Sequence, residues 1–201
     1  MLANQFTEDF REEHRQMRDM LLGLMDAIEA NDVEAVRQGV GEMAAHAGPH
    51  FHYEEQVLYP ALAEIYGADY VERLGAEHDA ALEAVQELAE LAEAEEITPE
   101  QAGYGLELVR RLLPHVSDRD GLAVIVEVLP EETVQKIVRA REKSRRSGKT
   151  LLELAQGKKK RRPVARRARG KARKAVAAVK SKVVPRKAKA RAKAKPARRK
   201  P

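Results

Sequence analysis

Apolar residues recur at helical spacing through the first 140 positions. Phe10, His14, Met17, Leu21, Leu24 and Ile28 step by 4, 3, 4, 3 and 4, which is one stripe on one helix face. Val36, Val40, Met43, Ala47, His50, Glu54, Val57, Ala61 and Ile65 keep that stepping on a second helix, and Asn31 with Glu34 resembles a capping box at its start. Gly48-Pro49 interrupts the run. Proline there removes a backbone donor and its ring clashes a turn back, which predicts a kink or a break into two helices. A third stripe is Val71, Leu74, His78, Ala81, Val85, Leu88 and Ala92, closing near Glu96. Thr98-Pro99-Glu100-Gln101 then offers an N-cap, a proline at N1 and a glutamine at N3 for a fourth helix, with Leu108, Leu112 and His115 on one face.

Four long amphipathic helices with short connections predict an all-α, up-down-up-down four-helix bundle. The run from Leu122 to Val126 reads as the buried end of the fourth helix. After Pro130, Val134 to Arg145 predicts a short further helix ended near Ser147-Gly148, and Lys149 to Gln156 adds a turn or two. The expected divisions are a bundle over 1–128, a helical extension over 129–156, and a disordered tail over 157–201.

Charge sets that tail apart. All 32 Asp and Glu of the 201 residues lie at or before Glu153, whereas 157–201 carries 22 of the 37 Lys and Arg and no acid. The formal +5 is thus the difference between an acidic domain of −17 and an arm of +22. The arm has too few large apolar residues to bury a core. With no cysteine, disulfides, thiolate zinc sites and a cysteine nucleophile are excluded. No apolar run approaches the ~20 residues that span a bilayer, and the first residues show no secretory signal. A cytoplasmic, nucleoid-associated protein is the expectation.

Four of the six histidines, His14, His50, His78 and His115, fall on the inward stripes of four successive helices. One histidine on an apolar face is usually a satisfied core residue. Four that can meet at one level of an antiparallel bundle would be costly to bury without a shared partner, and a metal removes that cost. Glu54 follows His50 by one turn and shares its face. Near His115, Asp118 at i+3 is the better placed carboxylate. Asp120 lies ~140° round an ideal helix and needs a widened turn or a helix end to reach the same centre. Imidazoles with carboxylates and no sulfur suit iron, with manganese second, and a carboxylate can bridge two ions. A polar core network is the competing reading.

These residues resemble a known family. His50-Phe51-His52-Tyr53-Glu54-Glu55, followed by Leu58-Tyr59-Pro60, is similar to the signature of hemerythrin-like HHE cation-binding domains. Glu12-Glu13-His14 and Glu77-His78-Asp79 resemble the first- and third-helix histidine motifs of that family, and His115 with Asp120 resembles its fourth-helix motif. The resemblance runs from about Thr7 to Asp120. It implies a non-haem di-iron centre with His14, His50, Glu54, His78, His115 and Asp120 as ligands, Glu54 and Asp120 bridging. It further implies dioxygen, peroxide or nitric oxide as the small ligand. One departure stands out: the family's additional third-helix histidine is Leu74 here, which leaves His46 or water to complete one ion. His52 is expected to face away from the centre. Glu55, Tyr53 and Tyr59 read as packing and surface residues, Tyr59 being the one placed to donate to a bound oxygen species.

The arm is a dense polycation, and counterion release makes such a chain bind nucleic acid without sequence preference. Lys158, Lys159, Lys160, Arg161, Arg162, Arg166, Arg167, Arg169, Lys171, Arg173 and Lys174 are its first candidate contacts. Its composition is similar to the Ala-Lys-Pro tails of linker histones. Two further readings stay open: a DNA-compacting protein whose bundle is a spacer, and a peroxide-consuming di-iron enzyme.

Overall fold

A computed structural model describes residues 1–158, all of whose regular elements are helical. Of the disordered tail expected over 157–201, Gly157 and Lys158 are described and are helical, so the helical chain runs two residues further than expected; Lys159 and every arm candidate after it lie outside the described residues. The long helices are α1 (Leu2–Glu29), α2 (Val33–Tyr53), α4 (Ala68–Ala92) and α5 (Pro99–Asp118). In chain order each packs on the next, and α5 returns to α1, which closes an up-down-up-down bundle. A π-helical turn (Glu54–Leu58) and the short α3 (Tyr59–Tyr66) join α2 to α4. After α5 come α6 (Asp120–Ile125), a 3-10 turn (Val126–Val128) and α7 (Glu131–Ser147); residues 151–158 are again helical.

The local signals act as their chemistry requires. Thr98 and Gln101 form a reciprocal capping box with Pro99 in the first turn of α5. Gly148 ends α7 in the left-handed region at φ 60, where only glycine sits without strain. At α2 the expectation needs correcting by one residue. Asp32, not Asn31, is the N-cap, accepting from the Ala35 N–H at 3.0 Å, while Asn31 takes the positive φ of 55 that turns the chain.

Pro49 does not break its helix. Its neighbours Ala47, Gly48, His50 and Phe51 are all buried, and tertiary packing there outweighs one missing backbone donor. The interruption comes instead at the π turn, which holds one more residue than an α turn and shifts the stripe behind it. Leu58, Tyr59 and Leu62 are buried, whereas the expected Val57 and Ala61 are half-buried and Ile65 is 46% exposed. Two further boundaries also differ from expectation: α4 ends at Ala92, and Leu122–Val126 is not the end of the fourth helix. The chain breaks at Arg119 (φ −101, ψ −1), and α6 sets off again to pack on α1.

Two apolar clusters fill the interior. One runs from Met17 to Ile28 with Val36 to Ala47, Leu82 to Ala92 and Leu108 to Val116. The other holds Phe6, Phe10, Tyr53, Leu58, Leu62, Leu74 and Leu122 to Val126. Along α1, His14 lies between Phe10 of one cluster and Met17 of the other. Along α4, His78 lies between Leu74 and Ala81 in the same way. The histidine level is the seam between two apolar cores.

Candidate metal centre

Four imidazoles from four helices meet at that seam. His14, His50 and His78 are at most 2% exposed, His115 is 8% exposed, and Glu54 is fully buried. His14, His50, Glu54 and His115 each place a donor atom within 4.8 Å of the other three. The Nε2 atoms of His14 and His50 stand 3.0 Å apart. Glu54 Oε2 lies 3.1 Å from His78 Nε2, 3.5 Å from His50 Nε2 and 3.8 Å from His115 Nε2. Glu54 therefore touches the imidazoles of α2, α4 and α5 together. Phe51 stacks on His78 with ring centroids 3.9 Å apart, and Phe10 packs on His14 at 4.2 Å, so the rings are held by apolar walls.

The far edges of three rings are occupied by carboxylates. His14 Nδ1 meets Asp120 at 3.0 Å, His50 Nδ1 meets Glu13 at 2.8 Å, and His78 Nδ1 meets Glu55 at 3.0 Å. An ionised carboxylate only accepts, so each fixes an Nδ1–H and leaves Nε2 as the ring's lone pair. The His14 and His50 lone pairs would then face one another across 3.0 Å, which is repulsive unless a cation or a proton lies between them. His115 has neither ring nitrogen hydrogen-bonded, and neither Glu54 oxygen has an aligned donor despite the short distances. Buried polar atoms without partners are expensive. A metal ion satisfies this donor set in one step, and the residues present fit one.

Protonation without a metal follows the same logic. Burial disfavours the charged form of His50, but Glu54 and Glu13 overcome it and hold the imidazolium up to about 9. Burial, and then the charge of His50, bring His14 down to about 4. Burial drives His115 well below its ordinary value. Burial also opposes ionisation of Glu54, yet His50 and His78 keep its carboxyl well below the usual range. Burial likewise opposes charge on His78, but Glu54 and Glu55 raise it above its ordinary value, so protons on His50 and His78 stand in for a cation.

The remaining candidates are placed as follows. Asp120 reaches His14 from the Nδ1 edge, outside the Nε2 cluster, with its side chain 42% exposed. The helix break at Arg119 makes that approach possible. Asp118 is exposed at the end of α5. His46 is half-buried one turn before His50, its Nε2 without a partner, and it is not in the four-residue cluster. His52 faces α7, 2.8 Å from the Ser144 hydroxyl. Lys158 lies against Glu55 at 2.6 Å and Asp79 at 2.9 Å.

Several contributors escaped the sequence reading. Glu13 and Glu55 were expected on the surface or unassigned, yet each steadies an imidazole. The signal was present: each adjoins a motif residue, Glu13 before His14 and Glu55 after Glu54. Tyr59, which the sequence does single out as a donor, is buried with its hydroxyl 2.8 Å from His78 Nε2; the contributor without a sequence signal is buried Arg119, which donates to that hydroxyl at 3.2 Å while pairing with Glu77. Arg141 sits on the stripe Val134, Ile137, Arg141, Ser144; a cation on an apolar stripe points to a buried partner. Between α4 and α5 a cleft of about 260 Å³, lined by Glu77, Glu83, Glu87, Arg111 and Pro114, reaches the His115 side chain.

A helical bundle with buried histidines and a carboxylate converging at one level is a metal-binding protein. Residues 5–123 match the hemerythrin HHE cation binding domain, and the chain belongs to that family. No curated protein and no solved structure matches it significantly. No helix among the described residues is long and apolar enough to cross a membrane.

Proposed function

We propose that the chain is a non-haem iron protein that binds or senses dioxygen, peroxide or nitric oxide, and that its basic arm associates it with nucleic acid. His14, His50 and His115 with Glu54 would hold one ion. His78 with the same Glu54 carboxylate would hold a second, and Asp120, Glu13 and Glu55 orient the rings. The observation that carries this reading is the buried donor set whose Glu54 and His115 atoms have no hydrogen-bond partner among the described residues. A bound iron pair would supply an open coordination position for a small oxidising ligand. The α4/α5 cleft is roomy enough for such a ligand, since a water occupies only ~30 Å³ of liquid.

Around that position the chain's own groups have defined tasks. Tyr59, held by Arg119, brings its hydroxyl to the His78 side and can donate a hydrogen bond there. Phe10 and Phe51 keep bulk water from the rings. Two irons per chain by metal analysis, with near-ultraviolet absorption that collapses on reduction, are the expected result. The double variant His50→Ala, Glu54→Ala should lose both. Wild-type protein purified with iron in the medium yet free of metal would refute the reading.

A further inference from the structure

The family match ends at residue 123, yet two cations from beyond it reach the histidine cluster. Arg141, only 9% exposed, places Nε at 2.8 Å and Nη2 at 2.7 Å from Glu13 Oε1, with Nη1 2.7 Å from Asp9. The other Glu13 oxygen takes His50 Nδ1 at 2.8 Å and the Tyr53 hydroxyl at 3.1 Å. Lys158 Nζ lies 2.6 Å from Glu55 Oε1 and 2.9 Å from Asp79. That same Glu55 oxygen is 3.0 Å from His78 Nδ1.

Both arrays have one order: cation, carboxylate, imidazole Nδ1, with Nε2 turned toward Glu54 at 3.5 Å for His50 and 3.1 Å for His78. They come from different helical segments and end on different histidines, so the packing of α7 alone does not account for the repetition. The physical purpose is clear. A carboxylate with no cation behind it is free to swing toward water. A cation fixed at its outer side holds it in place, and the carboxylate in turn fixes the tautomer and direction of the ring.

We propose that residues 131–158 form the outer layer of the metal centre, with Arg141 and Lys158 as positioning residues that orient His50 and His78 through Glu13 and Glu55. The inference rests on the metal-binding reading above. It makes the extension, and not only the matched domain, part of what sets affinity and ligand field.

Anaerobic titration of the full chain with Co²⁺ tests it, with the visible d–d absorption read for both affinity and band position. Arg141→Met and Lys158→Met are each expected to weaken binding roughly 10–100-fold and to move the band. Lys158→Arg, which can still reach both carboxylates, should restore the wild-type band. Ile137→Ala thins the same α7 packing without touching Glu13, and should leave both readouts of the folded protein unchanged. The proposal fails if Ile137→Ala moves the band as far as Arg141→Met, or if both methionine variants keep wild-type affinity and spectrum. Should Arg141→Met not fold, Lys158→Met decides alone, because that side chain is 33% exposed and removable. Wild-type protein that takes up no Co²⁺ would remove the metal reading itself, and this inference with it; uptake with silent variants would remove this inference only.

Discussion

At the scale of single residues, the centre is a division of labour between the two nitrogens of each ring. His14, His50 and His78 give Nδ1 to a carboxylate and keep Nε2 for the middle of the bundle. His115 differs, because neither nitrogen has a hydrogen-bond partner among the described residues and burial strongly favours its neutral form. Such a residue destabilises the metal-free fold, since each unpartnered buried polar group costs about 1–3 kcal/mol. His115→Leu, close in size and apolar, is therefore expected to raise the Tm of chelator-treated protein by a few degrees while removing the gain in Tm that metal gives the wild type. Melting curves with and without chelator check both halves. A variant that loses stability in chelator would show that His115 has a partner the geometry does not reveal.

At the scale of elements, three irregularities place the chemistry. The π turn brings Glu54 inward beneath His50 and then buries Leu58 and Tyr59 side by side, so that Tyr59 reaches His78. The break at Arg119 turns Asp120 back onto His14. The third irregularity is a close crossing. A Cβ on Gly48 would collide with the Lys149 carbonyl oxygen and stand 2.6 Å from the Thr150 backbone, so the chain leaving α7 passes directly over α2. Leu151 and Ala155 then close onto the larger core. Because the obstacle is backbone, it cannot swing aside as a side chain would. Gly48→Ala should cost about 1–3 kcal/mol, the range for overpacking, and lower Tm by several degrees. It should also open the 149–158 segment to limited proteolysis before the rest of the bundle. Equal protease resistance in the two proteins would contradict the crossing.

At the scale of the whole molecule, the acidic domain and the basic arm carry opposite charges of −17 and +22. Removing 160–201 is expected to abolish retention on duplex DNA and leave metal uptake intact, since that stretch contains no His, Asp, Glu or Cys. With the arm present, affinity should fall steeply as salt rises from about 50 to 200 mM, because counterion release dominates such binding. Filter binding across a salt series measures the slope; a shallow one would argue against the polycation as the contact. The sequence by itself determined the four amphipathic helices, the level at which His14, His50, His78 and His115 face inward, and the capping of α5, because helical period and caps are local properties. It could not show that Pro49 is tolerated, that a π turn shifts the stripe after Glu54, or that Asp120 sits on the outer edge of His14. Nor could it show that Arg141 and Lys158 stand behind Glu13 and Glu55, residues at sequence separations of 128 and 103. Those depend on which surfaces meet, and only the packing of distant segments, where the free energy of burial outweighs local preference, decides that.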